Sequence, residues 1–101
     1  MNFENFNLER FKRTTHEISD YVLILRSEEE RAMFRKQLDK NNVPYSRAFQ
    51  RNTLSGYGVF YSKGLKQVDL CVADGFTRLY VEDFIDFVSD ENDLVNFLKE
   101  I

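Results

Sequence analysis

Apolar and polar positions divide this chain into stretches of two different periods. Tyr21-Val22-Leu23-Ile24-Leu25-Arg26 is a near-continuous apolar run of strand length. It reads as a central strand covered on both faces. The period then lengthens. Between Glu28 and about Asn41, Phe34 and Leu38 recur at helical spacing with Ala32 or Met33 beside them, while Arg31, Arg35, Lys36 and Lys40 are expected to face outward. Ser27-Glu28-Glu29-Glu30 is the start signal of that helix. The serine oxygen can take the third backbone N–H, Glu30 can reach back, and three glutamates suit the positive end of the helix dipole. Asn41-Asn42, able to adopt left-handed geometry, and then Pro44 supply the stop.

The second half alternates with a period of two. Tyr57 to Ser62 and Gln67 to Ala73 read as strands joined by a turn over Ser62 to Lys66, with Val68, Leu70 and Val72 on one face. Asp74-Gly75 is the preferred dipeptide of a tight hairpin, and Phe76 to Val81 would return to complete an antiparallel meander. Pro44 to Phe49 reads as an edge strand, where proline is tolerated, and Arg47 to Ser55 as a polar connection. At the front, Asn7 can cap a short helix, and Phe3, Phe6 and Phe11 would pin the arm to the core, since each phenylalanine left in water costs ~2 kcal/mol. At the end, Val81, Phe84, Ile85 and Val88 fall at helical spacing. Ser89 or Asp90 would cap a last segment carrying Leu94, Phe97, Leu98 and Ile101. The expected fold is a single α+β domain over residues 1–101. A small, mainly antiparallel sheet in the order β-α-β-β-β carries one long helix, an N-terminal helical arm (1–19) and an acidic helical C-terminal segment (80–101) packed on it.

Composition narrows the function classes. Aromatic residues make up 15% of the chain and ten of them are phenylalanine, against one histidine, one cysteine and no tryptophan. Such a chain is built to pack and to touch. No apolar run approaches the ~20 residues that span a bilayer, and Met1 to Asn5 lack the charged start and apolar stretch of a signal peptide. A cytoplasmic protein with no membrane partner is expected. Cys71 has no second cysteine to pair with inside the chain. The net charge of −3 argues against general nucleic-acid affinity.

The charge is unevenly placed. Glu82, Asp83, Asp86, Asp90, Glu91 and Asp93 follow Tyr80 closely, and form the expected electrostatic surface for a protein partner. Glu82 and Asp86 are four apart, so on one helix face they would repel unless a cation or Arg78 answers them. Read as metal ligands, these acids would support a metal-dependent nuclease, but the second cluster lacks the ordered pattern of a calcium loop. An alternative site combines Arg47, Arg51, Lys63 and Lys66 with Tyr57 and Tyr61. Aromatic faces can stack on bases while basic groups meet phosphates, which would make a nucleotide-binding or nucleotide-sequestering protein. His16 has no second histidine for a metal site. Cys71, mid-strand, reads as a buried apolar thiol, and nothing local joins it to His16 as a catalytic pair. No catalytic residue, metal site or cofactor is assigned.

The order of motifs has a resemblance. The arm Phe6-Asn7-Leu8-Glu9-Arg10-Phe11-Lys12, the strand followed by Ser27-Glu28-Glu29-Glu30 and a helix ending near Val43, Tyr57-Gly58-Val59-Phe60-Tyr61-Ser62, and Leu79-Tyr80-Val81-Glu82-Asp83-Phe84 together resemble small phage-encoded α/β accessory proteins. The resemblance is one of pattern and order and carries no functional residue over. It implies a protein of the host-cell cytoplasm that binds and inhibits a host or anti-phage defence factor, with sequestration of a signalling nucleotide as the alternative. The strand Tyr57 to Ser62, the Pro44 segment or the C-terminal Phe97, Leu98 and Ile101 could each join two copies into a homo-oligomer.

Overall fold

The structure is a computed structural model that describes residues 3–51 and 57–86. Its helices are α1 (Leu8–Thr14), α2 (Glu28–Lys40) and α3 (Arg47–Arg51), with short 3-10 turns at Phe3–Asn5 and Val81–Phe84. Its strands are β1 (Tyr21–Ile24), β2 (Tyr57–Ser62), β3 (Gln67–Val72) and β4 (Thr77–Tyr80). They form one four-stranded sheet in the order β3-β2-β1-β4. The fold is α+β and the sheet is mixed: β1–β2 and β2–β3 are antiparallel, β1–β4 parallel. Of the expected helical segment over 80–101, the described part is only the 3-10 turn Val81–Phe84, because Ile85 is extended and bridges Phe6; the rest, with Val88, Ser89 and Leu94 to Ile101, lies outside the described residues.

Local chemistry sets the helices as expected. The Asn7 side chain accepts from the Arg10 N–H and caps α1, and Phe3, Phe6 and Phe11 are buried. Ser27 Oγ accepts the Glu30 N–H at 3.1 Å. Glu30 reaches back one residue further than a capping box requires, to the Arg26 N–H at 2.7 Å. At the other end Asn42 takes φ 58°, Val43 N–H bonds Leu38 O, and Asn42 N–H bonds Asp39 O. This is the paired-bond stop of a Schellman motif, and Val43 and Leu38 meet in the core beside it.

Alternation decides the sheet faces. Leu23, Val59, Val68, Leu70 and Leu79 fall on the face covered by the helices. There Phe3, Phe6, Phe11, Phe34, Phe49 and Phe84 form a continuous ring cluster, neighbouring centroids lying 5.2 to 6.2 Å apart. Ring pairs at these separations add to what burial alone contributes. Val22 and Leu23 are both fully buried, so β1 is covered on both faces.

Three expectations are corrected. The first is the meander: β4 does not pair with β3 but crosses to the far side of β1. A type I′ hairpin needs positive φ at both central residues. Gly75 has φ 88°, whereas Asn42 and Lys66 are the only non-glycine residues of positive φ among the described residues, so Asp74 is not. Ala73 to Phe76 is therefore a type II turn closed by Phe76 N–H to Ala73 O at 3.1 Å. The outer edge of β3 is also occupied. Val68 donates to Pro44 O and accepts from Ser46 N–H, and Asp69 Oδ1 takes the Leu70 N–H. The open edge of apolar β1 is what β4 completes.

The second is the Pro44 to Phe49 strand. Only Tyr45 bridges to Val68. Ser46 then caps α3 through Oγ to the Phe49 N–H, and the helix swings Phe49 into the core with no exposure. The third is Arg31, expected on the outward side of α2 and found buried against Phe49.

Candidate functional site

The crossover leaves a second sheet face with its own geometry. β3 and β4 run in the same direction at opposite edges, and Phe76 lines one cavity with Val22, Phe60 and Cys71, which places the Ala73 to Phe76 connection on the face away from the helices. That face carries Val22, Phe60 and Cys71. Phe76 from the crossover and residues Thr15 to Ser19 from the α1–β1 connection close around them. The result is a cavity of about 140 Å³ lined by Thr15, His16, Glu17, Ser19, Tyr21, Val22, Phe60, Cys71 and Phe76.

Hydrogen bonds tie the walls of this cavity to neighbouring elements. Thr15 Oγ1 donates to Phe11 O at 2.7 Å, and the Tyr61 N–H donates to Thr15 O. Glu17 takes the N–H groups of Lys63 and Gly64 at 2.7 and 3.3 Å, which ties the β2–β3 turn to the α1–β1 connection. Those bonds, the Lys63 one foremost, hold the Glu17 carboxyl below its ordinary pKa. Underneath, Val22 packs directly on the β2 backbone. A Cβ at Gly58 would stand 2.6 Å from Val22 Cβ and Cγ2. Glycine at 58 is thus what permits this contact.

Among the described residues the large hydrophobic side chains left exposed are Ile18, Tyr21, Leu65, Val72 and Phe76. Tyr21 and Phe76 line the opening. Ile18 lies between the lining residues Glu17 and Ser19, and Leu65 belongs to the turn that Glu17 grips, whereas Val72 alternates away from Cys71 onto the face of Val68 and Leu70. Exposed aromatic residues gathered at a cavity, as Tyr21 and Phe76 are, mark a candidate interaction surface.

His16 and Cys71 line the same cavity, a meeting the chain's local patterns do not announce. Cys71 is half-buried, and burial pushes its thiol pKa up, with Asp69 adding to the shift. A reactive cysteine needs the opposite environment. His16 Nδ1 is buried with no hydrogen-bond partner. Among the described residues no three His, Cys, Asp or Glu side chains come together to hold a metal ion. No helix among them is long and apolar enough to cross a membrane.

The described acids after Tyr80 are each engaged within the chain. Glu82 takes two bonds from Arg26 Nη2, at 2.8 and 2.6 Å. Its own backbone N–H and that guanidinium lower its pKa. Asp83 accepts the outward-facing Tyr80 N–H at 2.7 Å. Asp86 pairs with Arg10 at 3.1 Å and accepts from Asn7. The answering cations are therefore Arg26 and Arg10; Arg78 lies 3.6 Å from Asp74 instead. Asp90, Glu91 and Asp93 lie outside the described residues.

The basic-aromatic set is distributed over three elements. Arg47 and Arg51 are exposed on α3, Tyr57 and Tyr61 lie on β2, and Lys63 and Lys66 are exposed in the turn beyond it. Tyr57 stands at the opposite end of β2 from the two lysines, ~17 Å away by strand rise. Tyr61 has Lys12 over its ring at 5.2 Å.

Comparison with known proteins gives no match, whether to a family model, a curated protein or a solved structure.

Proposed function

We propose that this chain is a protein-binding module that grips its partner through the apolar cavity and rim on the crossover face. The observation that carries this reading is that two of the exposed large hydrophobic residues, Tyr21 and Phe76, line one pocket, with Ile18 next to its lining residues in the chain. A cavity of about 140 Å³ takes a single apolar or aromatic side chain. Small-molecule sites usually occupy ~300–1,000 Å³. Anchor residues seated in such pockets, ringed by contacts that exclude water, carry most of the affinity of protein interfaces. The acids after Tyr80 then serve as a secondary, electrostatic part of the contact, since Glu82, Asp83 and Asp86 already have partners in the chain. On the phage resemblance, the partner is a host protein and the effect of binding is inhibition.

The test is affinity capture from host lysate with wild-type protein and with Ile18→Asp/Phe76→Asp, read by mass spectrometry against a folded-state control by circular dichroism. A stoichiometric protein retained by the wild type and lost by the folded variant supports the reading. Equal capture by both, or no stoichiometric protein at all, overturns it.

A further inference from the structure

Arg31 is placed at odds with its charge. It lies in α2 with 8% of its surface exposed, more buried than any other Lys or Arg among the described residues. One guanidinium N–H, on Nη2, donates to Phe49 O at 2.6 Å, and the group sits 5.2 Å from the Phe49 ring centroid. No carboxylate pairs with it among the described residues, although Arg10, Lys12, Arg26 and Arg78 all have one. Burial lowers its pKa, Glu28, one turn earlier and exposed, opposes this, and Arg35 adds a smaller lowering. Arg35 stands one turn on, half-buried, and likewise has no carboxylate partner among the described residues.

Two like charges four apart on one helix face repel, and a buried charge without a counter-ion is costly. Packing and one carbonyl bond do not require a guanidinium, because a methionine would fill the same space over Phe49. The guanidinium has five N–H donors, and the Phe49 bond uses one. Nε and Nη1 are not among the sealed, unpartnered atoms. Arg31 therefore keeps donors that an incoming group can reach.

We propose that Arg31 and Arg35 form a binding site for the phosphate group of a small phosphomonoester. Two cations without an ion pair among the described residues match the charge of a phosphate, about −1.5 to −2, better than that of a single carboxylate. The planar fork of each guanidinium suits two phosphate oxygens. This site is on the helix-covered side of the sheet, apart from the cavity proposed for a protein partner. It is also distinct from the exposed Arg47 and Arg51 of α3.

The experiment is isothermal calorimetry at constant ionic strength with inorganic phosphate, adenosine monophosphate and phosphoserine as separate probes, and sodium chloride and sulfate as controls. Saturable phosphate binding is expected, weakened about tenfold or more in Arg35→Gln, the share of one charge-assisted hydrogen bond. Arg31→Met should abolish it, and Arg35→Gln keeps the test decisive if that variant does not fold. Arg47→Gln/Arg51→Gln should leave it unchanged. Tighter binding of the nucleotide than of phosphate and phosphoserine would identify a nucleoside phosphate as the ligand. The reverse order would identify a phosphorylated amino-acid group. Absence of saturable binding, equal response to chloride and sulfate, equal binding by Arg35→Gln, or loss in Arg47→Gln/Arg51→Gln would each overturn the proposal.

Discussion

Gly58→Ala tests the packing beneath the candidate cavity. The added Cβ would stand 2.6 Å from Val22 Cβ and Cγ2 and 3.0 Å from Cγ1. Valine is stiff at χ1, and Val22 is 1% exposed between β2 and β4. Rotation therefore cannot relieve the clash, and the two strand backbones must part. Overpacking of this kind costs about 1–3 kcal/mol. Replacing glycine returns about 0.4–1 kcal/mol through the unfolded chain. A net loss of roughly 1–2 kcal/mol follows, and for a domain of this size that lowers Tm by roughly 5–15 °C. Thermal and urea unfolding of wild type, Gly58→Ala, Val22→Ala and the double variant measure it. The double variant removes the two Cγ contacts but keeps the Cβ–Cβ contact at 2.6 Å, so it should recover at most part of the Gly58→Ala loss. A Gly58→Ala protein as stable as wild type would refute the close-packing argument.

Other outcomes follow from single contacts. Asn42→Val, which puts a β-branched residue at φ 58°, should cost about 1–2 kcal/mol, whereas Asn42→Gly should be neutral or slightly stabilising; urea midpoints compare them. The Glu17 carboxyl has a folded pKa below its ordinary value of 4.5. The unfolded chain thus binds more protons in that window, so the Glu17 contribution is complete above pH 4.5 and is lost as pH falls through the folded pKa. Glu17→Gln should flatten the acid limb of the stability profile, and amide exchange at Lys63 and Gly64 should quicken. Cys71, with its thiol pKa raised by burial, should react with iodoacetamide at pH 7 more slowly than a free thiol; a faster reaction would contradict the geometry of its pocket.

Much of the local structure was legible in the chain because its causes are local. Asn7, Ser27 and Asn42 bond backbone groups within a few residues, so their spacing alone announces where α1 begins and where α2 begins and ends. The two-residue alternation of Tyr57 to Ser62 and Gln67 to Val72 likewise shows which positions share a face. The choice of strand partner depends on which edges remain open once the chain has collapsed. Asp74-Gly75 looks like a hairpin, but Pro44 and Ser46 hold the outer edge of β3 and apolar β1 still needs a neighbour. Only the assembled sheet could send β4 across. The same distance from local cause applies to the sites. Phe76 meets Phe60, Cys71 and His16 because of that crossover, and Arg31 is buried because α3 turns Phe49 beneath it. Residues far apart in the chain become a site through long-range packing, which no spacing along the chain records.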